Sequence, residues 1–244
     1  MDNIIELYNK FLVIKEKNWI ESKYDVVAGV GLVFEREIGI MQNNNPKADY
    51  KEIEIKCKRR NAVDKSIRLF SASFNNNEVI QTKRIYTKYG DFLKNKKNCI
   101  YCYVSGKHTN NVNNNYSLKL NVDYNKSKIF LEIYKDGILI DNEAYWSFDL
   151  LKTKIINKLK LLAYIKASTR KINNTYYYKY ENISFYKLKS FEKFLYLVEN
   201  GYIYIKFQVS EYNQGKRKGQ IHDHGISFHI REEKLEYLFN RIYI

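Results

Sequence analysis

Three acids and a lysine near the start of the chain have the types and spacing to share one piece of chemistry. Residues 51–58, Lys-Glu-Ile-Glu-Ile-Lys-Cys-Lys, alternate strictly. That is the pattern of a β-strand with Ile53, Ile55 and Cys57 on one face and Glu52, Glu54, Lys56 and Lys58 on the other. Glu54 and Lys56 are two apart and so point the same way, and Asp49 lies just ahead of the strand. Two carboxylates brought together repel unless a divalent cation bridges them. Carboxylate oxygens select Mg²⁺ or Mn²⁺ rather than zinc, and a lysine beside them can orient a water or steady charge on a phosphate. This is the set that metal-assisted phosphodiester hydrolysis requires. The spacing alone is equally that of a solvated strand face, since Glu-x-Lys also occurs at Glu21-Ser22-Lys23 and Glu232-Glu233-Lys234.

The flanks weigh against the solvated face. Gly29-Val30-Gly31-Leu32-Val33-Phe34-Glu35 puts Glu35 on a short expected helix that could deliver a third carboxylate. Far along the chain, Gly219-Gln220-Ile221-His222-Asp223-His224-Gly225-Ile226-Ser227-Phe228-His229-Ile230 concentrates three histidines and an aspartate, a set that packing explains poorly. Basic triplets, Lys58-Arg59-Arg60 and Lys216-Arg217-Lys218, adjoin both motifs, and Arg231 follows the second. With 42 Lys and Arg against 27 Asp and Glu, the net charge is +15. Such a chain suits a polyanion, and nucleic acid comes first. Cys99-Ile100-Tyr101-Cys102 could join His222 and His224 around zinc, but on a strand the two thiols face opposite ways, and two reduced thiols are expected.

These residues need elements to hold them. Helical spacing of Ile4, Leu7, Tyr8, Phe11 and Leu12 predicts a helix over 3–16 with Asp2 or Asn3 as cap. A helix from Gly31 to about Ile38 carries Glu35. Strands are expected at 51–58, 67–73, 99–104, 116–122, 128–134, 138–145, 161–168, 176–186, 202–209 and 226–231. Helices are expected at 78–93, from Ser147 to about Lys160, from Ser190 to Asn200 and over 232–240, with a basic loop at 210–225. The runs Asn43–Asn45, Asn75–Asn77 and Asn113–Asn115 read as loops. The mixed order implies an α/β or α+β fold around a central mixed sheet. Pro46 is the only proline and no linker divides the chain. No run approaches the ~18 apolar residues of a membrane span, Met1-Asp2-Asn3 opens no secretory signal, and three cysteines make no disulfide framework. A cytoplasmic protein is expected.

The order G-x-G-x-x-F-E, I-G-I (Ile38-Gly39-Ile40), an Asn loop, D-x-x-x-x-E-x-K, and a late H-D-H-G-x-x-F-x-I resembles the MvaI/BcnI restriction endonucleases. These are relatives of the nicking enzyme MutH in the PD-(D/E)xK nuclease superfamily. The resemblance runs over nearly the whole chain, 1–244, and implies a single nuclease domain of two lobes around a DNA cleft. The catalytic lobe would centre on about 1–105 and the recognition lobe would include about 160–235. It implies Glu35, Asp49, Glu54 and Lys56 as catalytic residues, with Asp49, Glu54 and Glu35 holding Mg²⁺, for which Mn²⁺ substitutes. His222, Asp223 and His224 match its recognition motif. His229 is likewise expected to contact DNA, although it stands where the family pattern leads one to expect arginine, which bears on base preference. Lys58, Arg59, Arg60, Lys216, Arg217 and Arg231 join the expected DNA contacts. The activity implied is type II cleavage of double-stranded DNA at a CCxGG-like pseudo-palindrome by a monomer, beside a cognate methyltransferase. A nicking endonuclease of the MutH kind, or a non-catalytic DNA-binding module, are the alternatives.

Overall fold

Ile4, Leu7, Phe11 and Ile14 form the buried stripe of helix α1 (Asp2–Glu16). Its N-cap is Met1, with no side-chain cap bond, so neither Asp2 nor Asn3 plays that part. The structure, a computed structural model, describes residues 1–24, 29–40, 47–75, 77–93, 99–113 and 115–244. Pro46 and the Asn43–Asn45 loop lie outside the described residues, as do Asn76 and Asn114.

By internal contacts the chain divides into two compact units. One comprises Met1–Lys65, Ile155–Lys189 and Glu236–Ile244; the other comprises Ser66–Lys154 and Ser190–Leu235. The division departs from the lobes expected at about 1–105 and about 160–235, because strand pairing draws 155–189 to the strand of the acids.

The first unit holds a five-stranded mixed sheet. Its members are β1 (Ile20–Glu21), β2 (Ile53–Arg59), β10 (Leu161–Ile172), β11 (Thr175–Leu188) and β15 (Phe239–Ile242). β2 runs parallel to β10, with Glu54 opposite Leu162 and Lys56 opposite Tyr164. β10 and β11 form one long hairpin turned at Asn173 and Asn174, both at positive φ, the conformation asparagine tolerates best after glycine. Helix α2 (Gly29–Glu37) packs Val30, Val33 and Phe34 into this core.

The second unit holds two further five-stranded sheets, both antiparallel. One comprises β3 (Ser66–Ser71), β4 (Ile100–Ser105), β12 (Ile203–Glu211), β13 (Ile221–Asp223) and β14 (Ser227–Arg231). The other comprises β5 (Asn110–Asn113), β6 (Tyr116–Asp123), β7 (Lys128–Lys135), β8 (Ile138–Asp141) and β9 (Tyr145–Ser147). Helices α3 (Glu78–Leu93) and α5 (Phe191–Glu199) belong to this unit, while α4 (Phe148–Leu159) carries the chain into the first. Ser147 and Ser190 cap α4 and α5 through bonds to Leu150 N and Lys193 N, as their sequences predict. Trp146, wholly buried, donates to the Ala72 carbonyl at 3.0 Å and packs against Phe74 and Phe228.

Further expectations change, and the strand expected over 138–145 is two, β8 and β9. α2 starts at Gly29, two residues early. The 210–225 loop contains a 3₁₀ turn (Gly215–Arg217) and β13. The helix expected at 232–240 is a 3₁₀ turn (Glu232–Lys234), a single turn α6 (Leu235–Leu238), and then β15 on the sheet of the other unit.

Candidate active site

Glu54 sits on the charged side of β2, yet its side chain is 0 % exposed. A solvated strand face is therefore excluded for it. One oxygen, Oε1, takes both Lys56 Nζ and, at 3.3 Å, Lys158 Nζ from the last turn of α4. The other, Oε2, is buried with no hydrogen-bond partner. Asp49 reaches the same strand from its leading turn, where its Oδ2 accepts from Ile55 N at 2.9 Å. Glu35 projects from α2, whose start fits only glycine: a Cβ on Gly29 would stand 2.8 Å from the Tyr178 hydroxyl. Tyr180 fixes the same turn by donating to Val30 O at 2.7 Å.

Electrostatics tie these groups together. Burial, with Asp49 adding to it against the pull of Lys56 and Lys158, raises the Glu54 carboxyl to about 7. Burial and then Asp49 raise Glu35. The acids thus lie near enough to oppose each other's ionisation. Among the described residues no three His, Cys, Asp or Glu side chains are gathered into a ready-made cage. The residues nevertheless fit a hard divalent cation: every candidate donor is a carboxylate oxygen, and a buried oxygen without a proton donor lacks what such an ion supplies.

The raised Glu54 value has a consequence for stability. Between the ordinary glutamate value and about 7, the folded state holds a proton the unfolded chain has released, so stability falls as pH rises through that window. Glu54→Gln is expected to remove this part of the slope and to stabilise the metal-free protein at pH 8 by about 1–3 kcal/mol. Urea midpoints of both proteins at pH 5 and pH 8 test this; equal differences at the two values would contradict it.

The late histidine motif lies in the second unit. β13 pairs with β12, placing His222 opposite Ser210. The His222 ring stacks on Tyr212 at 4.2 Å and lies 4.0 Å from that of His224. His224 Nε2 is 2.8 Å from Ser210 Oγ, and Asp223 accepts from Gly225 N at 2.7 Å. Burial and the His222 charge lower the His224 pKa, which favours a neutral ring. Lys216, Arg217, His224 and Arg231 are exposed, and His222 and Asp223 are half-buried. His229 differs, being 6 % exposed on β14. In the first unit Lys58 and Arg59 are half-buried, and Arg60 is exposed beside Glu181. Cys102 is buried on β4, with its thiol pushed up to about 12 by burial, and Cys99 is half-buried just ahead of the strand.

Lys158, on a helix that the family resemblance includes, has no role assigned from sequence: a lysine at the polar edge of an apolar helix stripe is what any surface helix shows, and only the fold brings it to Glu54.

A buried acid two residues before a lysine, a second acid bonded to the strand's backbone, and a helix acid electrostatically coupled to it are a set that metal-assisted phosphodiester hydrolysis can use. The chain belongs to the MvaI/BcnI restriction endonuclease family, whose sequence pattern it matches over residues 8–239. It is similar to a structure of the restriction endonuclease MvaI with its cognate DNA substrate, at TM-score 0.87 and 29% identity, covering 99% of this chain and 98% of that one. It is also similar to MvaI in the absence of DNA, at TM-score 0.63 and 29% identity, covering 99% and 97%. Comparison with curated protein sequences gave no match. Among the described residues, no helix is long and apolar enough to cross a membrane.

Proposed function

We propose that this restriction endonuclease binds double-stranded DNA and cuts both strands at a short CCxGG-like pseudo-palindrome, with Mg²⁺ as cofactor and Mn²⁺ able to replace it. The observation that carries the chemistry is Glu54, a fully buried carboxylate with one oxygen on two lysines and the other without a partner. Asp49 and Glu54, with Glu35 beside them, would hold the cation. When bound, such an ion supplies charge neutralisation at the phosphate and a more acidic water.

The chain's own groups do the rest. The bond from Ile55 N fixes the Asp49 carboxylate. Lys56 Nζ, anchored on Glu54, donates to the water that attacks phosphorus in line and opposes the charge that builds there. Lys158 shares the same carboxylate oxygen and keeps Glu54 oriented. The products are a 5′-phosphate and a 3′-hydroxyl. Lys58, Arg59, Arg60, Lys216, Arg217 and Arg231 contact phosphates, and His222, Asp223 and His224 approach base edges. The enzyme acts as a cytoplasmic monomer beside a DNA methyltransferase that protects the host's sites.

Digestion of a sequenced phage DNA, with mapping of the ends, tests the reading. Mg²⁺ or Mn²⁺ should give defined ends, and excess EDTA should abolish cutting. Ca²⁺ should support binding with poor cleavage, because its looser coordination positions water badly. Vigorous cutting in EDTA would rule out the metal site.

A further inference from the structure

The sheet of β3, β4, β12, β13 and β14 has one apolar face, with Ile203, Ile205, Phe207 and Phe228 buried. The positions alternating with these present tyrosine, serine, glutamine, histidine and the cations Lys206, Arg68 and Arg231, and no carboxylate. The same face continues through Ser210 to His224. A surface of this charge suits DNA.

Across it runs one row in register: Tyr204 on β12, His229 on β14 and Arg68 on β3. The His229 ring stacks on Tyr204 with centroids 5.9 Å apart, and its Nε2 lies 2.8 Å from Ser227 Oγ. It is part of the sheet, and its burial keeps it from a base edge. Arg68, its cross-strand neighbour, is exposed. Its Nη2 donates to Ser71 Oγ, which orients the guanidinium, and it has no carboxylate partner among the described residues. The other cations are engaged: Lys206 donates to Ser66 Oγ at 3.1 Å and lies over the Tyr103 ring, and Arg231 lies 4.0 Å from Glu233. An oriented guanidinium with free donors matches two acceptors side by side, which guanine presents as O6 and N7 in the major groove.

We infer that Arg68 is a specificity-determining residue that reads a guanine edge, and that His229 is its structural neighbour rather than the reader. The inference rests on the endonuclease reading above. The test is digestion of a plasmid library randomised over the mapped site by wild type, Arg68→Ala, Arg68→Lys and His229→Gln, with the ends sequenced. Arg68→Ala is expected to accept other bases at one position of each half-site and to lose about 10- to 100-fold on the preferred site, with its other positions still read. Arg68→Lys should restore little, since an ammonium lacks the fork. His229→Gln should keep the wild-type preference. Equal slowing on every sequence would make Arg68 a phosphate contact and overturn the inference, as would an unchanged site. If wild type gives no defined ends, the endonuclease reading itself fails. Arg68→Ala melting with wild type excludes loss of fold as the cause.

Discussion

Glu54→Ala and Lys56→Ala are each expected to lower the cleavage rate by at least ~10²-fold, the scale of losing one electrostatic catalytic group, in proteins that still fold and bind DNA. Glu54→Ala removes the buried oxygen that has no partner as well as the anchor of two lysines. Lys56→Ala removes the donor proposed to hold the attacking water and leaves the carboxylate with Lys158. Neither side chain is required for base contact, so filter binding in Ca²⁺ should be close to wild type. Metal-free binding by Glu54→Ala should be tighter, because a negative charge facing phosphate is gone. The pair Lys160–Glu52, 3.2 Å apart with both side chains more than half exposed, is the internal control. Lys160→Ala should change stability by under ~1 kcal/mol and leave cleavage within twofold. Single-turnover rates on a mapped site decide the matter: if Glu54→Ala and Lys56→Ala behave like the control, this strand does not carry the chemistry.

That contrast shows how far the sequence could be read. Alternation over 51–58 identifies the strand and puts Glu54 and Lys56 on one side, because a period of two is a local property of the chain. Burial is not local. Glu52 and Glu54 share a face by spacing, yet one is exposed and the other sealed, since β10 and α4 arrive from a hundred residues away. The contact of Lys158 with Glu54 is not legible in sequence for the same reason. The histidine motif reads well as chemistry and poorly as structure. β13 forms where a basic, hydrophilic stretch predicts a loop, supported by pairing with β12 and by the Tyr212–His222 stack. His229 looks like its companions on paper, because Ile226-Ser227-Phe228-His229-Ile230 alternates apolar and polar residues, the pattern of a strand with one wet face, and nothing local announces that His229 is buried. The C-terminal stretch carries helical spacing for one turn only, after which β11 captures it as an edge strand.

Strand β13, which carries the residues proposed to approach base edges, has a brace whose removal should lower stability. Helix α3 packs against β13, and Tyr86 on it donates to Glu211 of β12 at 2.7 Å. The helix is tied to the sheet of β5 to β9 by Asp141 at the end of β8. That carboxylate is 1% exposed. It takes both Arg84 Nη1 and, at 2.9 Å, Nη2, with the Tyr89 hydroxyl at 2.8 Å and Glu143 N at 3.1 Å. Asp141→Ala strands a half-covered guanidinium and a buried phenol, and should cost about 3 kcal/mol, measured by urea denaturation. Arg84→Met in the same chain should recover part of the loss, because it removes the covered guanidinium, while Lys88 and Glu143, which also lose a partner, are both more than half exposed. The pH dependence carries its own sign. Burial alone would raise the Asp141 pKa, but the bonds from Arg84, Glu143 N and Tyr89 outweigh it and hold it below the usual range. The folded value being the lower one, the contribution is complete above the unfolded aspartate value and is lost as pH falls below it. The gap between wild type and Asp141→Ala should therefore be widest near neutrality and narrow below about pH 4. With α3 loosened behind β13, Asp141→Ala should also weaken specific DNA binding more than non-specific binding at a temperature where it remains folded. A full 3 kcal/mol loss persisting at pH 3 would show that packing, and not this ion pair, holds the helix.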